Sequence, residues 1–92
     1  MSNNVLLDVV KVRTEANHML ILEFENGEKR QFDMLPYLAK MPFDRLKDSP
    51  LFSKAFIAHG TVVWPGNIDI APDTLYSRSL LIQQRDPQAL KG

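Results

Sequence analysis

Two histidines, a pair of aspartates, two serines and four cations on neighbouring segments are the residues of this chain whose types could do chemistry. His18 and His59 are the candidate metal ligands. Both lie at strand ends, where the three- or four-residue spacing that converges ligands on a helix does not apply, and closed coordination needs three or four such groups. Asp69 and Asp73 could form an acid–base pair. Asp73, however, sits where a helix begins and answers its positive end, and Asp69 alternates with Ile68 and Ile70. Structural roles account for both. Ser77 and Ser79 have no base nearby in sequence and no Gly-x-Ser-x-Gly turn around them. No catalytic, cofactor-binding or metal-ligating residue is therefore assigned, and the expectation is a protein that is not an enzyme and carries no cofactor.

Lys11, Arg13, Lys29 and Arg30 fall on adjacent strands and could present a basic strip to phosphate. Glu15, Glu23, Glu25 and Glu28 occupy the same hairpin region and would neutralise it through cross-strand pairs. Nucleic-acid contact through these four cations is kept as the alternative to protein binding.

The elements that hold these residues are short. Val5, Leu7 and Val9 share one parity and Val10 and Val12 the other, a phase change that a β-bulge near Val9 would produce in a strand reaching Thr14. Glu15-Ala16-Asn17 reads as a turn into a second strand, His18 to Phe24. A two-residue turn at Asn26-Gly27 would set Phe24 against Lys29. A three-residue loop with Gly27 in the left-handed position instead sets Leu20 against Phe32, Leu22 against Arg30, Phe24 against Glu28 and Glu23 against Lys29, which is the register expected for a third strand, Lys29 to Met34.

Pro36 suits the first turn of a short helix, Leu35 to Lys40, that Pro42 stops. Phe43, Leu46, Leu51 and Phe52 should tuck under the sheet, with Ser49-Pro50 opening a single turn. Ala55–His59 and Thr61–Trp64 read as a second hairpin around Gly60, with Trp64 a core residue. Pro65-Gly66-Asn67 ends it, Ile68 to Ile70 is a short extended piece, and Pro72-Asp73 opens a helix carrying Leu75, Tyr76 and Ser79. Leu80-Leu81-Ile82 should dock as the helix end or as a last extended segment.

Ninety-two residues, 45% of them hydrophobic and 24% charged, suit one folded domain. Eleven basic and eleven acidic side chains cancel, which removes the overall field expected of a nucleic-acid-binding domain. The absence of cysteine removes disulfides and thiolate chemistry and points to a reducing cytoplasm. No signal peptide or membrane-spanning run is read in the sequence.

Phe24-Glu25-Asn26-Gly27-Glu28, Arg30-Gln31-Phe32-Asp33, Phe52 before a strand, Val63-Trp64-Pro65, and Asp69 through Tyr76 together resemble the small bacterial proteins of domain-of-unknown-function family 2442. The likeness covers roughly residues 5 to 80 and rests on shape motifs: a turn, a Trp-Pro strand end and a proline-started helix. It implies a compact α+β fold. Some relatives join the domain to a helix-turn-helix, for which this chain has no room after the module, and others look like one half of toxin–antitoxin-like gene pairs. The family has no agreed catalytic residues to carry over.

The expected architecture is α+β: two antiparallel β-hairpins with short helices, a single domain over residues 1–82 and a loose polar tail over 83–92. In the strand His18 to Phe24 both parities are apolar, so Leu20, Leu22 and Phe24 suit a core while Met19 and Ile21 need other cover. Met19 and Ile21 are the interface candidates, for a protein partner or a homo-oligomer. The expected function is a cytoplasmic, non-catalytic protein-interaction or regulatory module, with the neutralising half of a two-gene toxin–antitoxin-like pair as its candidate role. A nucleic-acid-binding regulator and a small enzyme are the alternatives.

Overall fold

The computed structural model describes residues 7–47 and 50–83. The expectations attached to Val5, to the Ser49 cap and to the tail over residues 84–92 lie outside them, while Gln83, expected to open that tail, is the last residue of a strand paired with Lys29.

Strands β1 (Val9–Glu15), β2 (Met19–Phe24) and β3 (Lys29–Asp33) follow one another in chain order. Asn17 and His18, both with positive φ, make the tight 3-10 turn between the first two. The register of β1 on β2 slips between Val9 and Lys11, so the expected bulge is present and both Val10 and Lys11 are exposed while Val9 is buried. Between β2 and β3 the loop is the three-residue form: Gly27 has φ 91°, its N–H donates to the Phe24 carbonyl, and the Phe24 N–H donates to the Glu28 carbonyl at 2.9 Å. Leu20 therefore faces Phe32, Leu22 faces Arg30 and Glu23 faces Lys29.

The connection to the second half is built of 3-10 turns, Leu35–Tyr37, Phe43–Leu46 and Phe52–Lys54. The expected helix through Lys40 shrinks to the first of these, with the Asp33 carboxylate accepting from the Leu35 N–H at its start. Leu46 and Phe52 are buried, and Phe43 and Leu51 pack against the core.

β4 (Phe56–Ala58) and β5 (Thr61–Trp64) form the second hairpin, turning through His59 and Gly60, both left-handed. The extended piece Ile68–Ile70 is more than a connector. As β6 it pairs antiparallel with β5, setting Val62 against Ile70 and Trp64 against Ile68, so the second hairpin becomes a three-stranded sheet. The buried Thr61 hydroxyl donates to the Ile70 carbonyl across it. Helix α1 (Pro72–Ser77) follows, too short to include Ser79, and β7 (Leu80–Gln83) returns to pair with β3. The protein is thus α+β with two antiparallel sheets, ordered β1-β2-β3-β7 and β4-β5-β6.

One core joins them. Leu20, Leu22, Phe24 and Phe32 from the first sheet meet Val62, Trp64, Ile68 and Ile70 from the second, with Leu75 of α1 closing one side. Trp64 is fully buried, stacks on Phe52 with ring centres 6.1 Å apart, and donates its indole N–H to the Phe52 carbonyl at 2.9 Å. The polar tip of the tryptophan is thereby satisfied without water. The Val9 N–H donates to the Gly60 carbonyl, so the start of β1 also fastens the turn of the second sheet.

Candidate protein-binding face

Because side chains alternate along a strand, the register that buries Leu20, Leu22 and Phe24 sends Met19, Ile21 and Glu23 to the opposite face of the four-stranded sheet. Pairing across the strands groups that face into three rows. Glu15, Met19 and Asp33 form one; Arg13, Ile21, Gln31 and Leu80 form the next; Lys11, Glu23 and Lys29 form the third. Met19 and Ile21 are half-buried, yet neither belongs to the core or to the apolar residues packed against it. Beside them β7 presents Leu80 and Ile82, 67% and 48% exposed.

A groove of about 470 Å³ crosses this face, lined by Lys11, Arg13, Ile21, Glu23, Lys29 and Ile82 together with the strand backbones at Val12 and Leu22. All four strands contribute to it. Its lining mixes the apolar Ile21 and Ile82 with the charged Lys11, Arg13, Glu23 and Lys29, and among the described residues it holds neither a nucleophile beside a base nor a convergent set of metal ligands. Among the described residues no group of three or more His, Asp or Glu side chains is arranged to hold a metal ion.

The four cations do not stay together. Lys11, Arg13 and Lys29 share the outer face, Arg13 forming an ion pair with Glu15 at 2.7 Å. Arg30 lies on the other face of β3, where its guanidinium sits 4.0 Å from the Tyr76 ring centre, pairs with Glu28 at 2.9 Å and reaches the carbonyls of Tyr76 and Ser79 at 3.4 Å. It is a fastener between β3 and the α1–β7 segment. The register already implied this, because a residue opposite Leu22 shares the face of Leu22. Glu15, Glu23 and Asp33 stand among the three remaining cations, so the face as a whole is neutral.

The other candidates take structural places. His18 is half-buried against Phe52, ring centres 4.8 Å apart, and its Nε2 lies 3.1 Å from the Leu46 carbonyl, which can only accept and so fixes the proton on that nitrogen. His59 is exposed in its turn. Asp69 and Asp73 are both exposed, Asp73 in the first turn of α1. Ser77 donates to the Asp73 carbonyl and Ser79 to the Tyr76 carbonyl. The exposed apolar side chains of β7 were not singled out from sequence, because three consecutive apolar residues carry no parity.

A small two-sheet α+β domain in which, among the described residues, the core takes one face of the larger sheet and leaves the other outside it is the class of protein that the fold defines. Residues 9–80 match the family described as Protein of unknown function (DUF2442), and the chain belongs to that family. No curated protein and no solved structure matches it. No helix among the described residues is long and apolar enough to cross a membrane.

Proposed function

We propose that this protein is a non-catalytic, cytoplasmic protein-interaction module of regulatory type, working through the outer face of the four-stranded sheet, with the neutralising half of a two-gene toxin–antitoxin-like pair as its cellular role. The observation that carries the reading is a cluster of apolar side chains outside the core on one sheet face, half-buried Met19 and Ile21 with exposed Leu80 and Ile82, where Ile21 and Ile82 line a groove. Exposed apolar side chains grouped beside a groove are what interface centres contain, and a rim of mixed charge is what surrounds them. Nucleic acid fits this face less well, since it carries no aromatic ring for stacking and its cations alternate with carboxylates.

Co-expression with the product of the adjacent gene tests the reading. Met19→Lys/Ile21→Glu should keep the native circular dichroism spectrum and lose capture of that product together with any relief of its toxicity. Phe56→Lys, on the outer side of the second sheet, should lose neither. Capture retained by the double variant, or retained duplex binding that weakens with salt in place of protein capture, would remove the proposal.

A further inference from the structure

The charges on the open face are ordered along the strands, and the order is self-complementary. The first row carries Glu15 and Asp33 on either side of Met19, and the third carries Lys11 and Lys29 on either side of Glu23, with Ile21 in the row between. Turning a second copy about a two-fold axis that lies in the interface, crosses the strands and passes through the Ile21 row lays each acidic end over the other copy's basic end. Glu15 then meets Lys11, Asp33 meets Lys29, and Ile21 meets Ile21. Met19 then lies over Glu23 of the other copy, at the groove that Ile21 and Glu23 help line. Strands of the two copies stay aligned, the arrangement in which sheets commonly pack face to face. The other in-plane axis, parallel to the strands, would lay Lys11 over Lys29 and Glu15 over Asp33, and like charges reject it. The two Arg13 side chains approach each other at the rim, each already held by its own Glu15 at 2.7 Å.

We infer that the occupant of this face in the isolated protein is a second copy of the chain, docked by that two-fold. The inference rests on the proposal that the face binds protein and names the partner. Three cations and three carboxylates per copy leave the joint neutral, as the whole chain is, so association meets no net repulsion. Four strands about 4.8 Å apart and three rows of side chains make a small footprint, which predicts a reversible, concentration-dependent dimer.

Charge exchange tests it directly. In sedimentation the native chain should pass from monomer to dimer as concentration rises, and K11E and E15K should each associate at least about tenfold more weakly with themselves, because each places like charges in the joint. An equimolar mixture of the two variants should recover the dimer, since every Lys–Glu contact is restored across the heterodimer. Circular dichroism establishes that both variants are folded; should E15K lose structure through its ion pair with Arg13, K29E mixed with D33K provides the same exchange on β3. A native chain that stays monomeric, variants that dimerise unchanged, or a mixture that remains monomeric overturns the second-copy assignment. If in that case Met19→Lys/Ile21→Glu still abolishes capture of the adjacent gene product, the face binds a different protein and the functional reading stands. If capture survives as well, both fall.

Discussion

Gly27 turns the chain between β2 and β3 with φ 91°, a conformation in which an L side chain crowds its own backbone. Gly27→Ala should therefore lower stability by about 1 kcal/mol or more, read as a shifted denaturation midpoint at unchanged slope. A midpoint unmoved within error would remove the case for that loop. Gly60 combines two restraints, a φ of 75° and an Asp8 carboxylate that would lie 2.5 Å from an added Cβ. Gly60→Ala should be destabilising, and Asp8→Ala in the same chain should return only the steric share of the loss. Full recovery would mean that backbone conformation contributes nothing there. Trp64→Ala empties the largest buried site and strips the Phe52 carbonyl of its donor, so a cost of about 3–5 kcal/mol is expected. Set against a typical domain stability of roughly 5–15 kcal/mol, that leaves much of the population unfolded near the lower end. A folded Trp64→Ala variant that merely loses a partner would move Trp64 from the core to an interface.

Among the elements, β7 is held to β3 by its backbone ladder and, just before it, by one side chain. Arg30 clasps Tyr76 and Ser79 from β3, and α1 and β7 are brought to the sheet edge through that clasp. Arg30→Ala should speed amide hydrogen exchange across Leu80–Ile82 while leaving β5 and β6 unchanged, with a stability loss of about 1–2 kcal/mol from the lost stacking and hydrogen bonds. Arg30→Lys should rescue little, because an ammonium cannot stack and fork as a guanidinium does. Uniform exchange in both variants would remove the fastener role. The elements also explain what sequence patterns could and could not convey. The β1 bulge, the β2–β3 register and the burial of Trp64 were readable because parity leaves few ways to hide Leu20, Leu22 and Phe24 at once. The strand β6 was not, since three residues are too few for periodicity and only pairing with β5 distinguishes a strand from a connector. For Leu80–Ile82 the deciding information lay elsewhere in the chain, on the free edge of β3 and in Arg30. The helix expected from Leu35 is not continued because its backbone bonds run to the third residue back, Leu38 N–H to the Leu35 carbonyl and Lys40 N–H to the Tyr37 carbonyl, as 3-10 and turn geometry.

On the scale of the whole molecule, a chain this short builds one core, and it spends one face of each sheet on it. The face left over on the larger sheet is where Met19 and Ile21, marked in the sequence by doubled apolar parity, come to lie with Leu80 and Ile82, which only the topology could bring there. Lys11, Arg13 and Lys29 frame them, while Arg30 serves the interior side of β3. That this face is the protein-binding surface can be tested residue by residue in a series of amide correlation spectra recorded at rising protein concentration. The account predicts shifts that gather on Lys11, Arg13, Met19, Ile21, Lys29 and Gln31, with Val62, Val63 and Asp69 of the second sheet unmoved. Shifts centred instead on the second sheet around Phe56, or spectra unchanged both on concentration and on addition of the adjacent gene product, would contradict it.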